Sequence, residues 1–219
     1  MPRCQRIRVW AIVGGVTLGF STAAWAADPP TIGVEGGINF NSTSLSGSDA
    51  ANLETTSKTG GTIGAFVGIP ISPMFSIQPE VIYTTKSVKV SGTGSMSGYT
   101  ANIQAAFVEI PALAKVNLTK KKSLNYYVVA GPGFAFTTTA KLTDQNVGGQ
   151  TLPDEDLKAE DTFHSSDFTF IFGFGLDKGP LGVEVRYDAG LLNMNKATAT
   201  DTDIKFRVFS ILGRWSFKK

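Results

Sequence analysis

The sequence predicts an all-β fold: a closed, antiparallel, eight-stranded transmembrane β-barrel with up-and-down meander topology. Three observations carry this. Apolar and polar side chains alternate with period two in eight separate segments, the connections between those segments are alternately short and long, and an export signal precedes them.

Residues 1–26 have the three parts of a secretory signal peptide. Arg3, Arg6 and Arg8 make a positive start, Val9 to Phe20 an apolar stretch, and Ala24-Trp25-Ala26 an A-x-A cleavage site before Ala27. The expected domain is therefore residues 27–219, a length that suits one barrel or sandwich. Cleavage removes the three arginines and the single cysteine, Cys4, and takes the formal charge from +2 to −1. That balance offers nothing to nucleic acid, and one histidine without a mature cysteine builds no His/Cys metal site or disulfide framework. Mean hydropathy is only +0.05. No uncharged apolar run reaches the roughly 18–20 residues of a membrane-spanning helix, so any insertion must use strands.

The strands follow in order. Ile32 to Phe40 sets Ile32, Val34, Ile38 and Phe40 against Glu35, Gly37 and Asn39, and Ile63 to Ile69 sets Ile63, Ala65, Val67 and Ile69 against Gly64, Phe66 and Gly68. Phe75, Ile77, Pro79, Val81 and Tyr83 then oppose Gln78, Glu80, Thr84 and Lys86. Val108, Ile110, Ala112, Ala114 and Val116 oppose Glu109 and Lys115. Leu124 to Phe136 holds apolar residues on both faces and leaves its parity open. Phe168, Phe170, Phe172, Phe174 and Leu176 share a face opposite Thr169, Gly173 and Gly175. Leu181 to Leu191 is the clearest segment: Leu181, Val183, Val185, Tyr187, Ala189 and Leu191 face one way, and Gly182, Glu184, Arg186, Asp188 and Gly190 the other. The last strand groups Phe209, Ile211, Trp215 and Phe217 opposite Arg214.

Three connections are short: Ser72-Pro73, Asn117 to Ser123, and Asp177 to Pro180. Four are long and polar: Ser42 to Gly60, Val88 to Ile103, Thr137 to Asp167, and Leu192 to Asp203. Eight strands with both termini on the short-turn side give this count. Alternation alone also fits a soluble sandwich or a lipocalin-like barrel with its apolar face inward. The polar face decides for lipid outside. It mixes glycine with few charges of both signs, Glu35, Glu80, Lys86, Glu109, Lys115, Glu184, Arg186, Asp188 and Arg214, as suits a narrow lumen in which opposite charges neutralise one another. The apolar face carries no charge, and its strand-end aromatics Tyr83, Phe136, Phe168, Tyr187, Trp215 and Phe217 suit interfacial girdles.

The chain resembles the PorT-like outer-membrane β-barrel proteins, among the small eight-stranded barrels of Gram-negative bacteria. The carriers are Gly36-Gly37-Ile38-Asn39-Phe40, Gly64-Ala65-Phe66-Val67-Gly68-Ile69-Pro70, Ile77-Gln78-Pro79-Glu80-Val81-Ile82-Tyr83, and Val108-Glu109-Ile110-Pro111-Ala112-Leu113-Ala114-Lys115. Ala130-Gly131-Pro132-Gly133, Gly182-Val183-Glu184-Val185-Arg186-Tyr187 and Trp215-Ser216-Phe217 complete them. The resemblance implies an outer-membrane location, outer-membrane lipids and lipopolysaccharide as neighbours, and folding by the barrel-assembly machinery, whose terminal aromatic signal Phe217 resembles, followed here by Lys218 and Lys219. It supplies no substrate.

Of the candidate chemistries, Glu80, Glu109 and Lys115 on neighbouring strands, with Glu184, Arg186 and Asp188, suit acid/base work on paired carboxylates, and equally a lumen-filling ion-pair network. The second reading is preferred, and the chain is expected to be no enzyme. His164 lies in a polar loop and would need Asp or Ser neighbours to form a triad. The longest loop carries Asp154, Glu155, Asp156, Glu160 and Asp161, a candidate site for divalent cations shared with lipopolysaccharide, against the plainer reading of a solvated run. No cofactor is expected. The function read from these features is a monomeric, non-porin barrel with a structural, surface-binding or host-interaction role. The alternatives are an outer-membrane enzyme acting on lipid or peptide, a small-solute transport or assembly factor, and a soluble periplasmic carrier.

Overall fold

A computed structural model describes residues 29–46, 52–119, 124–157, 164–195 and 203–217. The expected signal peptide lies outside the described residues. The ring strands are β1 (Thr31–Ser46), β2 (Leu53–Ser72), β3 (Phe75–Gly92), β4 (Tyr99–Asn117), β5 (Asn125–Val147), β8 (Ser166–Lys178), β9 (Leu181–Gly190) and β10 (Asp203–Ser216). Two short strands, β6 (Gln150–Thr151) and β7 (Glu155–Asp156), pair with β5 outside the ring. Every ring pairing is antiparallel between sequence neighbours, and β1 closes on β10 with Val34 opposite Trp215 and Phe40 opposite Phe209. Closure leaves no open edge, as a sheet immersed in hydrocarbon requires.

Strand parity places the apolar set outside. Ile63, Val81, Phe172 and Val183 each keep more than half of their surface accessible, while Glu35, Glu80, Glu109, Glu184, Arg186 and Arg214 are buried. A soluble protein does not leave a continuous belt of Val, Ile, Leu and Phe uncovered while hiding its ions. On β9, at about 3.4 Å per residue and a tilt near 40°, the run from Leu181 to Leu191 rises roughly 26 Å, the height of a lipid-facing band. The open parity of the fifth strand is settled too: Tyr127, Val129, Gly131, Gly133 and Ala135 point inward, and Tyr126, Phe134 and Phe136 outward.

The long connections differ from the sequence reading. Much of Ser42 to Gly60, Val88 to Ile103 and Thr137 to Asp167 is strand: β2 and β3 stay paired to Leu53 opposite Gly92, and β4 and β5 to Tyr99 opposite Val147. These prolongations rise roughly 20 Å above the lipid band as a collar. Their composition reads as loop because polar Lys89, Gln104 and Lys141 are exposed on the outer face. The inner face is largely apolar, with buried Asn41, Thr43, Asn102 and Thr137 among its polar members. Val88, Val90, Ile103, Ala105, Phe107, Ala135, Ala140, Met194 and Phe206 form one buried cluster, with Leu53, Tyr99, Leu142, Leu157 and Ile204 packed against it. Above the membrane the outside meets water, so apolar residues turn inward.

The short turns hold the opposite end together. Ser72 Oγ accepts the Phe75 N–H at 3.1 Å, and Asn125 donates to the Asn117 side-chain oxygen at 2.8 Å across the β4–β5 connection. Gly179, between β8 and β9, has φ +63°, a conformation in which a side chain would be strained.

Candidate functional site

Within the band the wall directs its ions into the lumen. β9 supplies Glu184, Arg186 and Asp188 at successive inward positions, and β1 and β10 bring in Glu35 and Arg214 as direct cross-strand partners. Space for these side chains comes from glycines opposite them: Gly175 faces Glu184, Gly173 faces Arg186, Gly64 faces Glu35, and Gly182 faces Arg214. At Gly175 a Cβ would lie 2.1 Å from the Tyr127 ring, so the tyrosine lies flat against bare backbone.

Arg186 is the hub. Its Nη1 and Nη2 donate to Glu80 Oε2 and Oε1 at 2.8 and 3.2 Å, a two-pronged contact, and its Nε reaches Glu184 Oε1 at 2.7 Å. Glu35 lies 3.5 Å from its Nη1. Arg214 donates through Nη1 to Glu184 Oε2 and to the Tyr127 hydroxyl, both at 2.7 Å, stacks 4.0 Å above the Phe66 ring, and sits 3.2 Å from Glu35. Gln78 donates to Glu80 Oε1 at 2.6 Å. Such a network offsets the cost of taking ions out of water because each buried ion faces one of opposite charge, although Arg214 Nη2 finds no acceptor among the described residues.

A second group sits toward the collar. Lys86 Nζ lies 2.7 Å from Glu109 and 3.7 Å from Asp188, with the Phe107 ring 4.7 Å away. Beside it is a cavity of about 20 Å³, lined in part by Thr62, Thr84, Glu109, Asp188 and Ser210, with room for about one water molecule. On the outer wall a shallow groove of about 410 Å³ runs over the Gly36–Gly213 pair between Val34, Ile63, Leu181 and Trp215, where acyl chains have access.

The structure does not bring all the candidate residues together. Lys115 stands apart at the short-turn end. It bonds Asp177 at 3.0 Å and lies 3.5 Å over the Tyr127 ring, rather than joining Glu80 and Glu109. Tyr127 and Gln78 belong to the network and Asp177 pairs with Lys115, although the charge pattern singles out none of the three: the first two carry no charge, and Asp177 falls in an expected turn. Asn39 is also inside, donating to Thr62 and Thr84 at 2.9 Å each. Asp167, the end of a loop by sequence, is buried and accepts the Leu192 N–H at 3.1 Å.

In the acidic loop, Asp154, Glu155 and Asp156 are exposed, and Glu155 and Asp156 form β7 against Leu142 and Lys141. Glu160 and Asp161 lie outside the described residues. Among the described residues no group of three or more acidic, His or Cys side chains is placed to hold a metal ion. His164 is exposed.

No curated protein matches the chain. Among solved structures it is similar to the outer membrane protein OprG from Pseudomonas aeruginosa, at 13% identity over 88% of this chain and 98% of that one, with TM-score 0.48. Ail, the attachment invasion locus protein of Yersinia pestis, matches at 12% identity over 87% and 100%, TM-score 0.44. Neisserial surface protein A matches with the same four values. Residues 28–196 match the family described as outer membrane protein beta-barrel domain. With most of its length matched and its lipid-facing wall closed, the chain belongs to the outer membrane protein beta-barrel domain family and is a protein of the outer membrane.

Proposed function

We propose that this barrel is a monomeric, non-conducting, non-enzymatic platform of the PorT-like kind, delivered by its signal peptide, folded by the barrel-assembly machinery, and acting through its collar on ligands at the cell surface. One observation carries the reading: two unlike layers fill the lumen one above the other. The Arg186–Arg214 ion network occupies the lipid-embedded level, and the Phe107–Phe206 apolar cluster occupies the level above. An eight-stranded interior is about wide enough for side chains alone. The lumenal carboxylates are buried against guanidinium, ammonium, amide or hydroxyl groups, a setting for charge neutralisation and not for turnover. The exposed Asp154, Glu155 and Asp156 suit a looser role, sharing divalent cations with lipopolysaccharide.

Planar-bilayer recording of the refolded chain tests this. The expected record is a flat baseline, and sustained large openings would overturn the filled lumen.

A further inference from the structure

The change from lipid-facing to water-facing wall can be located residue by residue, and on the β1–β10 wall it is sharp. Phe40 and Phe209 pair across the strands with ring centroids 6.4 Å apart, as the last outward aromatics of the band. The next outward pairs are Ser42 with Arg207 and Ser44 with Lys205. Arg207 is exposed and Lys205 half-buried, and they stand two residues apart on one face, about 7 Å from each other. Neither makes an ion pair among the described residues. The described outward side chains of β1 and β9 include no carboxylate.

Two cations beside two hydroxyls, immediately above an aromatic pair at the edge of hydrocarbon, lie at headgroup depth. The long-connection end carries the collar, and in outer-membrane barrels that end is extracellular, so the leaflet concerned is the outer one. We propose that Arg207 and Lys205, with Ser44, form a docking site for the phosphate of an outer-leaflet lipid whose acyl chains lie along the Phe209–Ile211 face. The site rests on the outward-facing collar of the proposed function. Arg207 presents a forked donor to phosphate oxygens, Lys205 a point charge, and the rings below hold the chain–headgroup junction at the right height.

The test uses the full mature chain refolded in nonionic detergent, titrated with diphosphoryl lipid A and separately with the same lipid stripped of phosphate. Binding is read as the rise in the temperature at which the folded, fast-migrating gel form is lost. The phosphorylated lipid should raise it saturably and the stripped lipid much less. Arg207→Gln with Lys205→Gln should weaken the apparent affinity at least about tenfold, since both charge-assisted contacts to phosphate are lost. Lys89→Gln, an outward cation on β3, should leave it unchanged. Should the double variant not fold, Arg207→Gln alone gives the same reading. Equal response to both lipids, unchanged affinity in the folded variant, or an equal loss in Lys89→Gln would each overturn the site. Failure of the platform reading would appear separately, as conductance.

Discussion

The two levels of the barrel interior obey opposite rules along the same strands. On β3 the inward side chains run Glu80, Ile82, Thr84, Lys86 and then Val88, Val90. On β10, read upward, they run Arg214, Leu212, Ser210 and then Val208, Phe206. In each case the inside turns from ionic to apolar at the height where the outside turns from apolar to polar. Within the bilayer, apolar side chains already face hydrocarbon, so turning them inward would remove no surface from water, and the lumen is left to groups that bond one another. In the collar the interior is the only dry place, and the hydrophobic effect fills it. The exterior medium sets the interior chemistry.

The largest effect that would test this contrast is at the ionic hub. Arg186→Met keeps the bulk and removes the charge that Glu80, Glu184 and Glu35 share. Leaving buried carboxylates uncompensated should destabilise the barrel by about 3–5 kcal/mol, measured by urea unfolding in lipid vesicles. A loss below about 1 kcal/mol would mean that water reaches this level and that the lumen is not closed.

Next comes the lipid-facing wall. Val185 points outward from β9 near the middle of the apolar band, opposite Phe174 and Ile211 on the flanking strands. Val185→Lys should lower stability by about 2–4 kcal/mol in the same assay, because a cation at mid-depth has no partner in hydrocarbon. A neutral result there would place this face in water and reverse the fold's orientation.

How far the sequence reveals this arrangement follows from the same physics. The membrane level is legible because its two faces differ in kind: Val183, Val185 and Tyr187 against Glu184, Arg186 and Asp188 admit one orientation when read together with the expected signal peptide. The glycines facing those charges are legible too, as the small residues that make room. The collar is hidden because its pattern is inverted. Lys89 and Gln104 on the outside, with short Ala and Ser between, read as polar loop unless Val88, Val90, Ile103 and Ala105 are taken as an inward set. Partners two strands apart are also out of reach. Nothing local says that Lys115 meets Asp177 over β5, or that Tyr127 on the fifth strand donates at 2.9 Å to Glu184 on β9, because the pairing register and the inward curl of the wall bring them together.

A smaller effect tests the apolar level itself. Ile103 is buried in the collar cluster, so Ile103→Val removes one methylene and should cost about 0.5–1.5 kcal/mol. If the collar opens independently of the membrane level, this loss should appear as faster amide exchange in β3, β4 and β5 above the band, with the urea midpoint of the whole barrel little changed. A matching fall in both would join the two levels into one cooperative unit.

The smallest expected effect locates the boundary. Ser87 lies two residues beyond Thr85 on the outward face of β3, beside exposed Lys89 and opposite Gln104 of β4. It therefore stands where the wall has entered water. Ser87→Lys should change stability by less than about 0.5 kcal/mol, as an exposed surface substitution does. The same substitution at Tyr83, four residues lower on the same face, should be clearly destabilising because hydrocarbon begins there and the aromatic anchor is lost. The two variants put the same cation at two heights on one face, so together they bracket the change of medium, with the lost Tyr83 ring adding to the lower one. If Ser87→Lys were as harmful as Val185→Lys, the bilayer would reach over the collar, and the inward turn of Val88 and Val90 would need a cause other than water on the outside.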